Sequence, residues 1–443
     1  MRLSSISIRQ ASPNCSSAST PNPLSHQHSS ISTCSNSLQL KSTTTGLAFN
    51  KSQLSWNRLV PASGQCKLGH KWMQYQGIDN WEGLLDPLDH NLRLEILRYG
   101  QFVQVAYQSF DFDVSSPTYA TCRYPKGSIF ARSGLANSGY RITKNLRATC
   151  GVGLPRWMHG MPKWISTQSS WIGYVAVCQE KEEILRLGRR DVVIALRGTA
   201  TCLEWLENLR AALTNLPAHM RGESEGTGNS MVENGFLSLY TSKTATSPSL
   251  QEMVREEVGR ILQSYGHEPL SLTITGHSLG AALATLIAHD IATAFKGAAP
   301  MVTVVSFGGP RVGNEAFRTQ LEKSGTKILR IVNSDDVITK VPGLVVRNDE
   351  VEECRDVQMA KVLRWLHKRM EDMQWVYADV GQELRLSSRE SPYHKKGDVA
   401  TCHDLKTYLD LVNGFVSSAC PYTCKTKPLI QQKPGFDDSL YLV

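Results

Sequence analysis

The residues Gly276-His277-Ser278-Leu279-Gly280 follow a run in which Leu270, Leu272 and Ile274 alternate with Ser271, Thr273 and Thr275. They lead into Ala281-Ala282-Leu283-Ala284. Alternation of period two predicts a strand, and the small residues let a following helix lie close on a sheet. A strand-to-helix reversal this tight strains its middle residue, and glycine two positions before and after leaves room for it. The result is a serine hydroxyl held clear of the sheet beside the N–H groups of a helix N-terminus. Such a hydroxyl can attack a carbonyl, and those N–H groups can stabilise the oxyanion that forms. The chemistry implied is acyl transfer through Ser278.

The five-residue spacing alone is weak, and the chain carries its own control. Gly222-Glu223-Ser224-Glu225-Gly226 fits the same pattern but lies in the polar run Arg221 to Ser230, with no strand before it, and reads as a surface loop. A serine nucleophile needs a base, and the base needs an orienting acid. With this elbow the chain order is Ser, acid, His. Ile328 to Val332 reads as a later strand, and Asn333-Ser334-Asp335-Asp336-Val337 follows it at once. The histidines beyond are His367, His394 and His403. His367 sits in a basic helical pattern and His394 in a polar loop. His403 directly precedes the last helical stripe, at a loop end from which a side chain can be aimed at the sheet, and position favours it. A helix N-terminus there also disfavours imidazolium.

These groups need a scaffold. Asp89 to Phe110 carries a helical stripe through Leu92, Ile96, Tyr99, Phe102, Val103 and Tyr107. Residues Asp111 to Ser166 show no sustained period and read as loop. Trp171 to Cys178 and Asp191 to Leu196 read as strands, the second ending in Arg197-Gly198-Thr199 and leading to a helical segment from Leu203 to Leu213. Pro217 to Asn234 is polar and glycine-rich. A helix containing Leu250, Met253, Val254, Val258, Ile261 and Leu262 precedes the elbow strand. Met301 to Phe307 and Lys327 to Val332 are further strands, Met359 to Met373 a helical stripe, and Leu405 to Val416 the last helix. Strands alternating with helices predict an α/β fold: a largely parallel sheet covered on both faces.

At 443 residues the chain has ample material for a core. Its first 78 residues contain no Asp or Glu but carry seven Lys or Arg, and Ser and Thr crowd positions 1 to 45. That is the composition of an organellar transit peptide, and the lack of an Arg-dense amphipathic helix favours the plastid. The net charge of +8 less those seven leaves about +1 on the remainder, so the basic balance does not point to nucleic acid. No apolar run is long enough to span a membrane. The eleven cysteines follow no zinc-like or disulfide-framework spacing and read as mostly reduced, buried thiols.

From about Trp81 to Cys424 the chain resembles the plant class I phospholipase A1 family, plastid-type members of the fungal-lipase-like (class 3) superfamily. The resemblance rests on Asn80-Trp81-Glu82-Gly83-Leu84-Leu85-Asp86-Pro87-Leu88-Asp89, Arg197-Gly198-Thr199, the elbow, Phe307-Gly308-Gly309-Pro310-Arg311-Val312-Gly313-Asn314 and Cys402-His403-Asp404-Leu405. It implies an α/β-hydrolase fold and hydrolysis of the sn-1 acyl ester of galactolipids or phospholipids, with released polyunsaturated acid feeding oxylipin synthesis. Carried over by position, Ser278 is the nucleophile, Asp336 the acid and His403 the base. Thr199 and Leu279 supply the oxyanion donors. Thr339 stands where the family usually has proline after the acid, which leaves Asp335 as an alternative acid.

The resemblance therefore predicts a transit leader over residues 1–70, a lipase domain over 79–425 and a tail over 426–443. It implies membrane lipids as substrate, peripheral membrane contact, no nucleic acid, and no metal or organic cofactor. In the superfamily the helix after the Arg-Gly-Thr strand is a lid. Here that segment is Thr201 to Arg210, for which an ordinary packed helix is the competing reading. Met359 to Met373 could touch a membrane, although a core-facing helix with a basic outer side accounts for the same pattern. Two other functions stay open: a neutral-glyceride (triacylglycerol) lipase, and a non-catalytic lipase-like scaffold.

Overall fold

The structure, a computed structural model, describes residues 67–113, 115–149, 169–199, 212–221, 229–342, 377–391 and 399–419. In chain order the strands are β1 (Tyr140–Thr149), β2 (Ser169–Cys178), β3 (Arg190–Leu196), β4 (Leu213–Asn215), β5 (Met231–Glu233), β6 (Leu270–His277), β7 (Met301–Phe307), β8 (Lys327–Asn333) and β9 (Gln382–Leu386). The helices used below are α1 (His90–Ser109), α2 (Asn234–Thr241), α3 (Leu250–Tyr265), α4 (Leu279–Ala294), α5 (Glu315–Lys323), α6 (Val399–His403) and α7 (Leu405–Gly414). Seven strands form one sheet in the order β1-β2-β3-β6-β7-β8-β9. From β3 to β9 every neighbour is parallel, while β1 and β2 join that edge antiparallel.

Each central strand is buried on both faces, as a sheet covered by helices requires. In β3, Val192, Ile194 and Leu196 pack with residues of α3 and α4, such as Val254 and Leu283. Val193 and Ala195, pointing the other way, pack with Phe102 and Val103 of α1 and Leu409 of α7. The local stops are legible too. Asp89 caps α1 by accepting the N–H groups of Asn91 and Leu92, and Ser249 with Glu252 closes a capping box on α3.

The hydroxyl residues that alternate along β6 face no solvent. Ser271 and Thr273 point at a buried polar cluster around Asp191, which accepts from Ser271 Oγ at 2.8 Å and from the Tyr140 hydroxyl at 2.8 Å. Arg98 pairs with Asp191 at 3.0 Å, and Arg189 reaches Ser271 Oγ at 2.7 Å. Burial alone would raise the Asp191 carboxyl, but the Arg189 and Arg98 guanidiniums outweigh it and hold it below the ordinary range.

Three expectations change. The stretch read as loop from Asp111 to Ser166 contains β1 and a helical turn at Ile129–Arg132. Tyr140, Ile142, Leu146 and Ala148 alternate as strand residues do, but register shifts at Ile142/Lys144 and Leu146/Arg147 break the period. Leu213, placed at the end of a helix, begins β4 instead. His403 is the last residue of the helical turn α6 rather than of a loop. Leu68 and Tyr75, inside the acid-free stretch, are buried, and Leu68 N–H donates to Arg186 O at 2.9 Å. The proposed lid Thr201–Arg210, the stripe Met359–Met373, the second serine pattern at 222–226, His367, His394 and the tail lie outside the described residues. Cys178 and Cys402 are buried free thiols, and Cys122 is half-buried and free. Among the described residues no helix is long and apolar enough to cross a membrane.

Candidate active site

The loops that could carry chemistry gather at the carboxyl ends of β3, β6 and β8, where ligand sites of parallel sheets form. Ser278, the one residue between β6 and α4, has φ 58° and ψ −124°, a left-handed conformation strained for a side-chain-bearing residue. Packing imposes it. A Cβ on Gly276 would come within 2.3 Å of Gly280 C, and one on Gly280 would meet Leu196 O at 2.5 Å. Both glycines are therefore needed for close backbone approach. Ser278 N–H donates to Phe307 O at 3.0 Å, tying the elbow to the neighbouring strand. Leu279 opens α4, so its N–H belongs to the first turn, where no intrahelical acceptor exists.

The strand end of β3 lies against this elbow. A Cβ on Gly198 would touch Ser278 Cβ at 2.9 Å, which places Gly198, the residue before Thr199, against the serine. Arg197 anchors the segment: its guanidinium donates to Gly198 O at 2.6 Å and to Trp171 O at 3.0 Å. The same group lies 3.5 Å over the Phe110 ring. Burial lowers its pKa to about 10, still cationic at neutral pH.

The two side chains expected as acid and base meet. His403 Nδ1 is 2.6 Å from Asp336 Oδ2, and both side chains are buried. The Tyr408 hydroxyl donates to the same oxygen at 2.6 Å. Burial first, and the Asp336 charge second, push that phenol well above its ordinary pKa, so it remains a donor. Asp336 Oδ1 accepts from Ile338 N–H, and Thr339 Oγ1 donates to the Asp336 carbonyl at 2.9 Å. The hydroxyl at position 339 thus holds the turn where proline was expected. Asp335 faces elsewhere and accepts from Ser388 Oγ at 2.9 Å and Arg389 N–H at 3.0 Å.

Three contributors were not visible as such in the sequence. His277 Nε2 lies 2.7 Å from His403 O, a pure acceptor, so that nitrogen carries the proton. Its Nδ1 then accepts the Tyr107 hydroxyl at 2.7 Å, and that hydroxyl accepts Gly198 N–H at 2.8 Å. One relay therefore links the β3 end, the elbow and the His403 backbone. The His277 and His403 rings lie 4.7 Å apart, centroid to centroid. Burial, reinforced by His403, holds His277 well below its ordinary pKa and therefore neutral. Tyr107 and Tyr408 read as members of apolar stripes, and only their hydroxyls distinguish them from phenylalanine.

A strained serine between strand and helix, on a mostly parallel sheet with a buried His–Asp pair at its carboxyl edge, defines an α/β-hydrolase-type ester hydrolase. Residues 193–346 match the family Lipase (class 3). The chain is 67% identical over 359 residues to phospholipase A(1) DAD1, chloroplastic, of Arabidopsis thaliana, covering 80% of this chain and 79% of that protein. It is 40% identical to phospholipase A1 EG1, chloroplastic/mitochondrial, of Oryza sativa subsp. indica (77% and 74% covered). Galactolipase DONGLE, chloroplastic, of Arabidopsis thaliana is 37% identical (78% and 70% covered). The chain belongs to the plant phospholipase A1 family of class 3 lipases.

Proposed function

We propose that this protein is a plastid acyl hydrolase that removes the sn-1 chain of phospholipids and galactolipids through Ser278, His403 and Asp336. The observation that carries this reading is the buried His403–Asp336 contact of 2.6 Å, tied to the elbow through the 2.7 Å contact of His277 Nε2 with His403 O. His403 Nε2 takes the Ser278 proton as the hydroxyl attacks the ester carbonyl. The N–H groups of Leu279 and Thr199, with the Thr199 hydroxyl, receive the oxyanion. His403 then protonates the departing glyceryl oxygen, leaving an acyl-serine that water hydrolyses by the same sequence. Asp336 keeps Nδ1 protonated, so that Nε2 is the free base. The reaction needs His403 neutral, and activity falls as pH drops through its pKa.

The acid-free leader supports plastid import, and the names of the relatives agree with it. The leaderless protein, assayed on monogalactosyldiacylglycerol, phosphatidylcholine and triacylglycerol with positional analysis of the products, tests the substrate. Release of the sn-1 acid from the polar lipids is expected. A preference for triacylglycerol makes the protein a neutral-glyceride lipase instead. S278A should abolish turnover, and turnover persisting in it removes Ser278 from the mechanism.

A further inference from the structure

β8 ends on Asn333, a short turn ahead of Asp336. Its side chain is fully buried. Oδ1 accepts the N–H groups of Ser388 at 3.1 Å and Asp335 at 3.3 Å. Nδ2 donates to Ser388 Oγ at 3.2 Å and to Cys402 O at 2.9 Å. Ser388 Oγ gives its own hydrogen to Asp335 Oδ2, so towards Asn333 it can only accept. Turning the amide over would set Oδ1 against Cys402 O and the amide nitrogen against two N–H donors. Its orientation is therefore fixed, and its whole hydrogen-bonding capacity is used.

The main chain of the same residue serves the acid. Asn333 O accepts Asp336 N–H at 2.9 Å. Asn333 N–H donates at 3.3 Å to the Tyr408 hydroxyl, whose proton goes to Asp336 Oδ2. The base sits at the end of α6, a helical turn of five residues. A turn that short has no stability of its own, and its last carbonyls lack intrahelical donors. Donors from outside supply them. Thr401 O accepts Asp404 N–H at 3.3 Å, Cys402 O accepts from Asn333 Nδ2, and His403 O accepts from His277 Nε2 at 2.7 Å. A clasp at the end of β8 accounts for the contacts to Ser388 and Asp335. It does not account for the donor that reaches the residue before His403.

We propose that Asn333 is a positioning residue that sets the separation of acid and base, its carbonyl holding the turn of Asp336 and its carboxamide the turn of His403. The assignment rests on the hydrolase reading above. With the amide in place the imidazole meets Asp336 at 2.6 Å. Without it the Cys402 carbonyl loses its donor, the turn shifts, and Nε2 moves relative to the serine hydroxyl. A displacement of about 1 Å at a reacting group costs about 10²-fold in rate. The loss falls on kcat, because the residue acts on the base and not on the bound ester.

Steady-state hydrolysis of phosphatidylcholine and of a soluble p-nitrophenyl ester by the full chain tests this, with S278A as control. N333A should lower kcat by about 10²-fold and leave KM within about threefold, in a protein whose near-ultraviolet circular dichroism matches the wild type. N333D, of the same size and still able to accept from Ser388 and Asp335, should behave alike and serves where the alanine variant does not fold. Because Asn333 acts through the base, N333A/H403A should be no slower than H403A. The downfield proton resonance of the His403–Asp336 hydrogen bond is a readout apart from turnover. It should persist in S278A and be displaced or broadened away in N333A. A kcat within about threefold of wild type, a further loss in N333A/H403A, or an unmoved resonance overturns the proposal. So does failure of both variants to fold, which makes Asn333 a folding residue. Turnover lost in S278A but kept in N333A overturns the role of Asn333 alone, whereas turnover persisting in S278A overturns the hydrolase reading and this role with it.

Discussion

Asp335 and Asp336 carry the same functional group one residue apart, and their neighbours separate them. Asp336 holds His403 Nδ1 and the Tyr408 hydroxyl, while Asp335 ties the end of β8 to Ser388 and Arg389. D336N should lower kcat by about 10⁴-fold, because an amide there no longer enforces the required imidazole tautomer. D335N should leave kcat within about tenfold and act mainly on stability. Comparing the two by steady-state kinetics and urea unfolding decides between the carboxylates. Tyr408 acts through Asp336. In Y408F the carboxylate loses the hydroxyl that fixes the position of Oδ2, so kcat should fall by about tenfold with little change in KM or melting temperature. An unchanged kcat would make Tyr408 a packing residue only.

At the scale of elements, the elbow depends on how closely β3, β6 and α4 approach. A methyl at position 280 points at Leu196 O and Arg197 O, backbone atoms with no room to yield. G280A should cost about 1–3 kcal/mol in urea unfolding and depress kcat, since relief requires moving the segment that carries Ser278. Wild-type stability and rate in that variant would mean the approach is looser than described. Arg197 pins the other side of the elbow through Gly198 O, Trp171 O and the Phe110 face. A lysine keeps the charge but not the planar fork. R197K should therefore lower kcat by about tenfold or more with a smaller change in KM, as expected for a donor needed chiefly in the transition state.

Across the whole molecule, two buried histidines link folding to pH. His277 and His289 are both held below the ordinary histidine range, in each case mainly by burial. Each is neutral when folded and takes up a proton on unfolding once the pH is below about 6.5. Their contribution to stability is therefore present above that value and is lost as pH falls towards the depressed folded pKa values. The expected slope is up to about 1.4 kcal/mol per pH unit for each histidine. Urea unfolding at stepped pH from neutrality downward should show it, and a flat profile between pH 6.5 and 5 would mean that both rings are solvated.

The order of the central elements was legible because burial on both faces writes long apolar runs, as in Asp191 to Leu196 and Met301 to Phe307, and because caps and glycines mark their ends. The strained serine was legible for the same reason: two glycines and a small-residue helix are local requirements. The amino-acid order alone also narrowed the candidates for the acid to two neighbouring aspartates and for the base to three histidines. Tertiary structure decided the rest. Which aspartate faces His403, that Tyr408 and Tyr107 supply hydroxyls rather than mere bulk, and that β1 pairs despite its broken alternation depend on partners between 20 and 170 residues away in the chain. Periodicity reports which face of an element avoids water. The partner of a polar atom is set only when separate elements come into register.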